Sequence, residues 1–368
     1  MRRLLVVFAL FLGVVWAGFP VDACTGIRLT SGDGAVLYGR TMEWGTFDLN
    51  TRITVIPRGS AFTALTPDGK GGKTWKTRYG VVGLDMCGKP TLADGLNEKG
   101  LAVGMFYHPG FADYAAFKGS ERSRTLSPLD VAGYILTNFA DVEEARAGLS
   151  RVRVVDVLEP TIGAGVPGHW MVTDRSGRSI VVECTGGEVK VHDAPLGVIT
   201  NAPNYDWHMT NLRNYVNLSP FALPGKKIGE LDFTPLGAGS GMIGLPGDNT
   251  PPSRFIRAVA WTQTARKTAT AGEAVYEVFR IMDDFNLPLG PGAAEGHAGA
   301  QAPAGLMRSS TIWTAAWDLA NLKLYYHTQH NRRVRLFDIK AVDLTSGGVR
   351  HYPLDKVKAQ DYEDVTPR

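Results

Sequence analysis

The sequence carries little net charge, because 39 Lys and Arg residues stand against 36 Asp and Glu residues and leave a formal net charge of +3. An excess this small, without a basic stripe interleaved with aromatic residues, argues against a nucleic-acid partner. Charged residues make up only 20% of the 368 residues and hydrophobic residues 44%, which excludes a disordered chain. The 43 glycines follow no triplet period, so a collagen-like chain is excluded as well.

The sequence also lacks an apolar run as long as the roughly 20 residues that a membrane-spanning helix needs. An uncharged, mostly apolar run covers residues 4–18, after the basic start Met1-Arg2-Arg3 and before the small residue Ala23. This pattern is typical of a secretory signal peptide. We therefore expect residues 1–23 to be removed and the protein to be exported, periplasmic or secreted, with no membrane attachment afterwards. An uncleaved anchor is the alternative.

Cysteine is scarce, with Cys24, Cys87 and Cys184 as the three in the chain. In an oxidising compartment an odd count leaves one thiol outside any intramolecular pair. We interpret Cys87 and Cys184 as buried and separate, with a bridge between them as the alternative.

Cys24 would be the first residue after the predicted cleavage. Its α-amine, with a pKa near ~7.7–8.0, could then take the proton of its own thiol, as in enzymes whose first residue is the nucleophile. Lipid attachment to Cys24 is the alternative, and Asp22 argues against it because that position is usually small and uncharged.

The predicted elements follow the order strands, helices, strands, helices, strands, which indicates an α+β protein. A hairpin joins residues 27–30 to 35–40, and helices begin after the predicted caps Ser127 and Ser253. Residues 61–79, 223–247 and 287–305 are predicted loops. Because no repeat or compositional break marks a linker, residues 24–368 are predicted to form a single domain.

Seven short segments stand in order along the chain: 24–28 (CTGIR), 39–44 (GRTMEW), 97–101 (NEKGL), 200–203 (TNAP), 237–239 (GAG), 246–248 (PGD) and 252–255 (PSRF). Together they resemble the motifs of the choloylglycine hydrolase family, which contains bile salt hydrolases and penicillin V acylases. The resemblance implies an N-terminal nucleophile hydrolase with an αββα sandwich, in which two antiparallel sheets pack between helical layers. It implies a small-molecule amide as substrate and no cofactor or metal, and members of the family are often tetramers.

The resemblance also implies roles for individual residues. Cys24 matches the nucleophile, and Arg40 matches a guanidinium beside the thiol that favours the thiolate. Glu43 stands where many members have Asp, with a carboxylate that orients the α-ammonium. Asn201 matches the asparagine whose amide donates to the oxyanion, and Arg254 matches an arginine that supports the N-terminal charges.

Tyr107 departs from the pattern of bile salt hydrolases, which usually place Asn at this oxyanion position. Penicillin V acylases tend to carry Tyr there, and the backbone N–H can still serve the oxyanion. We therefore expect an exported amidase like penicillin V acylase, with N-acyl homoserine lactones as a candidate natural substrate and conjugated bile salts as the alternative. A hypothesis of another class is a lipid-anchored or secreted binding protein without catalysis. No metal site is expected at His327 and His330, because no carboxylate or cysteine joins them.

Overall fold

The computed structural model describes residues 24–44, 49–161, 163–288 and 310–367, so the predicted signal peptide lies outside the described residues. The five α-helices are α1 Pro128–Asn138, α2 Val142–Leu149, α3 Tyr205–Asn211, α4 Pro251–Thr264 and α5 Ala271–Asp283. The strands are β1 Thr25–Thr30, β2 Val36–Trp44, β3 Arg52–Ile56, β4 Ala61–Thr63, β5 Thr74–Lys76, β6 Val81–Met86, β7 Thr91–Asn97, β8 Ala102–Tyr107, β9 Thr125–Leu126, β10 Arg153–Val154, β11 Leu158–Glu159, β12 Ala164–Gly165, β13 Gly168–Thr173, β14 Ser179–Thr185, β15 Glu188–Asp193, β16 Val198–Ile199, β17 Lys226–Ile228, β18 Leu231–Phe233, β19 Ser310–Asp318, β20 Lys323–Thr328, β21 Arg335–Asp338 and β22 Arg350–Pro353.

Two antiparallel sheets form the centre of the molecule. The first has six strands in the order β16-β1-β2-β19-β20-β21, and the second has eight in the order β15-β14-β13-β8-β7-β6-β3-β22. The predicted hairpin forms β1 and β2, with Thr30 opposite Val36 and Thr25 opposite Thr41. Because β19 pairs with the other edge of β2, the long strand β2 lies in the middle of the first sheet.

The sheets face each other between two helical layers. Helices α4 and α5 pack on the first sheet, and α1 packs on β7 and β8 of the second. One hydrophobic core fills the space between the sheets and below α4 and α5, and another lies between the second sheet and helices α1 and α2. This arrangement is the predicted αββα sandwich.

Local sequence signals located most elements correctly. Ser127 precedes α1 as predicted, and its backbone N–H donates to Asp130 at 2.9 Å. The second predicted cap was wrong: α4 begins at Pro251 after Thr250, so Ser253 lies inside the first turn. Two prolines at the helix start explain the shift, because their missing N–H groups would be unpaired there in any case.

Several elements were not predicted. The segments 61–79 and 223–247 hold the short hairpins β4–β5 and β17–β18 instead of plain loops, and residues 205–211 form α3. The tail also contributes, since β22 pairs with β3 at the edge of the second sheet. Among the helices of the described residues, none is long and apolar enough to cross a bilayer.

A glycine in β8 sets how closely the two sheets approach. A Cβ at Gly104 would lie 1.9 Å from the hydroxyl oxygen of Tyr38, a buried residue of β2 in the opposite sheet. We expect Gly104→Ala to lower the free energy of unfolding by about 1–3 kcal/mol through overpacking, measured by urea denaturation.

Gly133→Ala is the matched control. Gly133 lies inside α1 and a Cβ there meets nothing within 4 Å, so alanine should be neutral or stabilise by up to about 1 kcal/mol through its helix propensity. Equal effects of the two substitutions would contradict the assigned contact between the sheets.

Candidate active site

Cys24 lies directly before β1, at the seam between the two sheets. Its side chain is 3% exposed, and its Sγ lies 3.8 Å from Sδ of Met42. The thiol faces a pocket with a mostly apolar wall, which includes Met42, Trp44, Leu49, Met86, Met105, Phe106, Tyr107 and Val166. Cys24, Cys87 and Cys184, all among the described residues, form no disulfide.

Strand alternation distributes the polar residues of β2 over the two faces of the first sheet. Residues two apart in a strand share a face, so Arg40 and Met42 face the second sheet. Thr41 and Glu43 face the helical layer on the other side. The motif at 39–44 therefore supplies groups to both faces of β2, the strand that pairs with β1 next to Cys24.

Arg40 is fully buried and bridges the two sheets. Its Nη1 donates to the carbonyl oxygens of Ala93 and Met105, in β7 and β8, at 3.1 and 2.7 Å. Its Nη2 lies 3.5 Å from Sδ of Met42, the same sulfur that contacts the Cys24 thiol.

The charge of Arg40 is also coupled to that of Cys24. Burial acts to lower the pKa of Arg40, but the nearby charge of Cys24 outweighs it together with Tyr38 and Asp94, so the pKa lies above its usual value. By the same interaction, the guanidinium favours the thiolate form of Cys24.

Glu43 is fully buried on the helical side of β2. Its carboxylate accepts hydrogen bonds from the hydroxyls of Thr311 at 2.6 Å and Thr41 at 3.1 Å. Burial raises the pKa of Glu43 to about 7, although the Thr311 hydrogen bond and the charge of Arg254 act in the opposite direction. A cation beside this carboxylate would therefore be strongly favoured.

Arg254 in α4 connects the remaining residues. Its Nη1 donates to the carbonyl oxygen of Cys24 at 2.6 Å and to the hydroxyl of Thr25 at 2.8 Å. Its Nη2 donates to Oδ1 of Asn201 at 2.6 Å. Because the planar guanidinium fixes these directions, one side chain sets the distance between Cys24 and Asn201.

Asn201 reaches across to Tyr107 at the end of β8, where its Nδ2 donates to the Tyr107 carbonyl oxygen at 2.7 Å. Because Arg254 donates to the amide oxygen of Asn201, partners on both sides determine the orientation of this amide. All six predicted site residues, Cys24, Arg40, Glu43, Tyr107, Asn201 and Arg254, therefore belong to one connected cluster.

Asp94 is a buried residue of this region that sequence reasoning missed. It accepts a hydrogen bond from Nε1 of Trp317, in the first sheet, at 2.9 Å. Burial raises the pKa of Asp94 to about 7, and the charge of Arg40 opposes this rise. Its position three residues before the motif at 97–101 was the only available signal.

Sequence reasoning also missed a buried group of side chains that contacts the backbone on either side of Asn201. His108, His169 and Glu183 are buried side by side, and among the described residues they form a group whose ring nitrogens and carboxylate oxygen lie within 4.8 Å of one another. These are not the histidines at 327 and 330 that were considered as metal ligands in the sequence. The ring of His327 packs against Phe279, with 5.4 Å between the ring centroids.

The buried Asp94 predicts a pH dependence of stability. A carboxyl whose pKa is higher in the folded state than in the unfolded state stabilises the fold at low pH, and that contribution is lost as pH rises from about 4 to 7. Asp94→Asn lacks this proton. We therefore expect the free energy of unfolding of the wild type, relative to Asp94→Asn, to fall by up to about 1.4 kcal/mol per pH unit in this window.

Urea denaturation of both proteins at a series of pH values measures this difference. Above pH 7 the difference should be constant, since Asp94 is then ionised in both states. A difference that does not change between pH 4 and 7 would contradict the raised pKa.

Comparisons with known proteins identify the family of the chain. The model of the linear amide C–N hydrolases, choloylglycine hydrolase family, matches residues 24–356. A bile salt hydrolase/transferase of Clostridium perfringens is 32% identical over 90% of this chain and 97% of its own length. The crystal structure of a variant of the conjugated bile acid hydrolase from Clostridium perfringens has a TM-score of 0.79 at 30% identity, covering 93% of this chain and all of the other. The penicillin V acylase of Agrobacterium tumefaciens has a TM-score of 0.70 at 25% identity, covering 90% and 92%. The chain belongs to the choloylglycine hydrolase family of linear amide C–N hydrolases.

Proposed function

We propose that this protein hydrolyses the amide C–N bond of conjugated bile salts, with Cys24 as its nucleophile. The relatives named above support this substrate over the penicillin V that the sequence favoured, because the bile salt and bile acid hydrolases are more similar to the chain than the penicillin V acylase is. The observation that carries the proposal is the thiol of Cys24 at an apolar pocket, tied through Arg254 to Asn201.

In the proposed reaction, the Cys24 sulfur attacks the amide carbon and forms a tetrahedral oxyanion. One N–H of the Asn201 amide is used by the Tyr107 carbonyl, and the other is the donor for the oxyanion. As the intermediate collapses, the leaving nitrogen takes the proton that the thiol lost, the C–N bond breaks, and the amine leaves with a thioester remaining on Cys24. Water then attacks the thioester, and the free acid leaves.

The proton that the thiol loses needs an acceptor. In the proposed mechanism this is the α-amine of Cys24, which exists only after cleavage of the bond between Ala23 and Cys24. The proposal therefore includes export through the signal peptide at residues 1–23. Glu43 then acts as the counterion of the resulting α-ammonium.

Penicillin V remains the second candidate substrate because of Tyr107. Its aromatic ring and the neighbouring Phe106, Met42 and Met86 line the wall of the pocket, and this surface suits a flat phenoxyacetyl group as well as a steroid. Methionines adapt their shape to different apolar groups, so the wall alone does not separate the two.

We also propose that the protein assembles into a homotetramer. The hairpin β17–β18 carries three exposed apolar side chains, Ile228, Leu231 and Phe233, and Phe221 and Leu236 beside it are exposed too. An apolar patch of this extent is typical of a protein–protein interface.

The substrate proposal predicts a ranking of activities. We expect the exported protein, with an intact mass that begins at Cys24, to release taurine or glycine from conjugated bile salts with a higher kcat/KM than it cleaves penicillin V or N-acyl homoserine lactones. Amine release and product mass are the measurements. Faster cleavage of penicillin V would overturn the bile salt assignment, and no cleavage of any of the three would overturn the amidase proposal.

Cys24→Ala should abolish this activity, with Cys184→Ala as the matched control. Cys184 is buried in the other hydrophobic core, and burial raises the pKa of its thiol to about 12, so it is unreactive at neutral pH. A binding protein without catalysis would show no difference between the two variants.

The position of Arg254 predicts a second effect on catalysis. A lysine keeps the charge but cannot hold Cys24 and Asn201 with one planar group. We expect Arg254→Lys to lower kcat by about 100- to 1000-fold, the usual loss for one oxyanion donor, with little change in KM.

Arg257→Lys is the control for this substitution. Arg257 lies one turn further along α4 and pairs with Asp284, outside the site. Its replacement should reduce stability without reducing kcat, and equal losses of kcat in both variants would contradict the role of Arg254.

A further inference from the structure

The carboxylate of Glu183 lies at the centre of the histidine group behind Asn201. Glu183 is in β14 and His169 in β13, and both side chains are 1% exposed. Nδ1 of His169 lies 3.3 Å from Oε1 of Glu183, and Nε2 lies 3.0 Å from the carbonyl oxygen of Thr200. The imidazole thus connects the second sheet to the residue immediately before Asn201.

Both partners of the His169 ring accept hydrogen bonds. The Thr200 carbonyl can only accept, so Nε2 must carry a proton. Glu183 also accepts from the backbone N–H of Tyr205 at 2.9 Å and faces Nε2 of His192 at 3.4 Å. Burial acts to raise the pKa of Glu183, but the hydrogen bonds from His169 and His192 outweigh it and hold the pKa well below its usual range. Nδ1 of the same ring faces the Glu183 carboxylate, so the imidazole joins β14 to Thr200 by hydrogen bonds at both ring nitrogens.

The neighbouring His108 stacks on the ring of His169. Its ring lies parallel to that of His169, with 4.2 Å between the centroids and 1° between the planes. Burial, and then the charge of His169, lower the pKa of His108 to about 3, so it stacks as a neutral ring. A metal ion lies in the plane of each imidazole that binds it, and two parallel stacked rings do not share such a point. The group therefore holds protons in this geometry.

Glu183 fixes both ends of the segment that carries Asn201. It reaches Thr200 through His169, and it binds the backbone of Tyr205 directly. Between these points, Nε2 of His208 donates to the carbonyl oxygen of Asn201 at 3.0 Å. The backbone of Asn201 is thereby held from the second sheet, independently of the contact between its side chain and Arg254.

We propose that the buried, hydrogen-bonded pair of Glu183 and His169 positions Asn201 for catalysis. This inference rests on the proposed function, because it assumes that the Asn201 amide donates to the oxyanion. Loss of the pair removes neither the Asn201 amide nor its partner Arg254, but it frees the backbone at residues 200–205 and lets the amide shift. The consequence is a misplaced donor in the transition state, while substrate binding in the apolar pocket is unchanged.

The test compares Glu183→Gln with Glu159→Gln. Glu159 is a matched control, a glutamate that is 2% exposed and pairs with Lys89 away from the Asn201 segment. We expect Glu183→Gln to lower kcat on the best amide substrate by about 10- to 100-fold, below the loss expected for a missing donor, with KM within about twofold. Alkylation of Cys24 by iodoacetamide should keep its wild-type rate, since the thiol and Arg40 are untouched. Glu159→Gln should keep the wild-type kcat.

The hydrogen bond of the His169 ring to Thr200 is tested without any activity, by nitrogen-15 NMR of histidine-labelled wild-type protein. We expect a slowly exchanging proton on a histidine Nε2 that is absent in His169→Gln and present in a His327→Gln control. This NMR measurement tests the proposal even if no amide is cleaved, or if Glu183→Gln does not fold.

Three results would overturn the proposal. They are a wild-type kcat in folded Glu183→Gln, a His169 Nε2 proton that exchanges as fast as that of an exposed histidine, and stoichiometric metal in the native protein. Restoration of part of the kcat in Glu183→Asp, which keeps the charge, would support it.

Discussion

A guanidinium without access to water must find all its partners inside the protein, and Arg40 finds two of them on the opposite sheet. Its hydrogen bonds to Ala93 and Met105 fix β2 against β7 and β8. The ring of Phe106 lies 4.4 Å from the guanidinium carbon, so the charge is also held by a π face. Because an unpaired buried charge is strongly unfavourable, the two sheets have little freedom to slide at this point.

Hydrogen bonds hold the two sheets against each other at three further points along the seam. Trp317 donates across it to Asp94, Asn201 donates across it to Tyr107, and His169 meets Thr200 from the opposite direction. Each bond joins a residue of the second sheet to the first sheet or its edge. The candidate active site is therefore a product of the alignment of two sheets, and its residues also maintain that alignment.

How much the sequence could predict depends on how far apart the interacting residues are in the chain. The β1–β2 hairpin and the start of α1 follow from neighbouring residues, and both were predicted correctly. The family resemblance named six candidate site residues from separate motifs, and the structure places all six in one cluster. Asp94 and Trp317 are 223 positions apart, and no periodicity connects them. His169 and Glu183 face each other because the hairpin turn at 174–177 sets the register of β13 and β14, but neither residue stands in one of the seven motifs, so their role was not predicted.

Glu43 illustrates the physical reason for the arrangement around Cys24. A carboxyl with a pKa of about 7 is only partly ionised at neutral pH, although Arg254 acts to lower that value. The proposed cleavage before Cys24 would add an ammonium group in this region and favour the ionised form. Burial also lowers the pKa of Arg254 to about 10, so this guanidinium stays charged at neutral pH. Cleavage would thus add a further cation to those of Arg254 and Arg40 near Glu43, and the same step would create the base that the thiol of Cys24 requires.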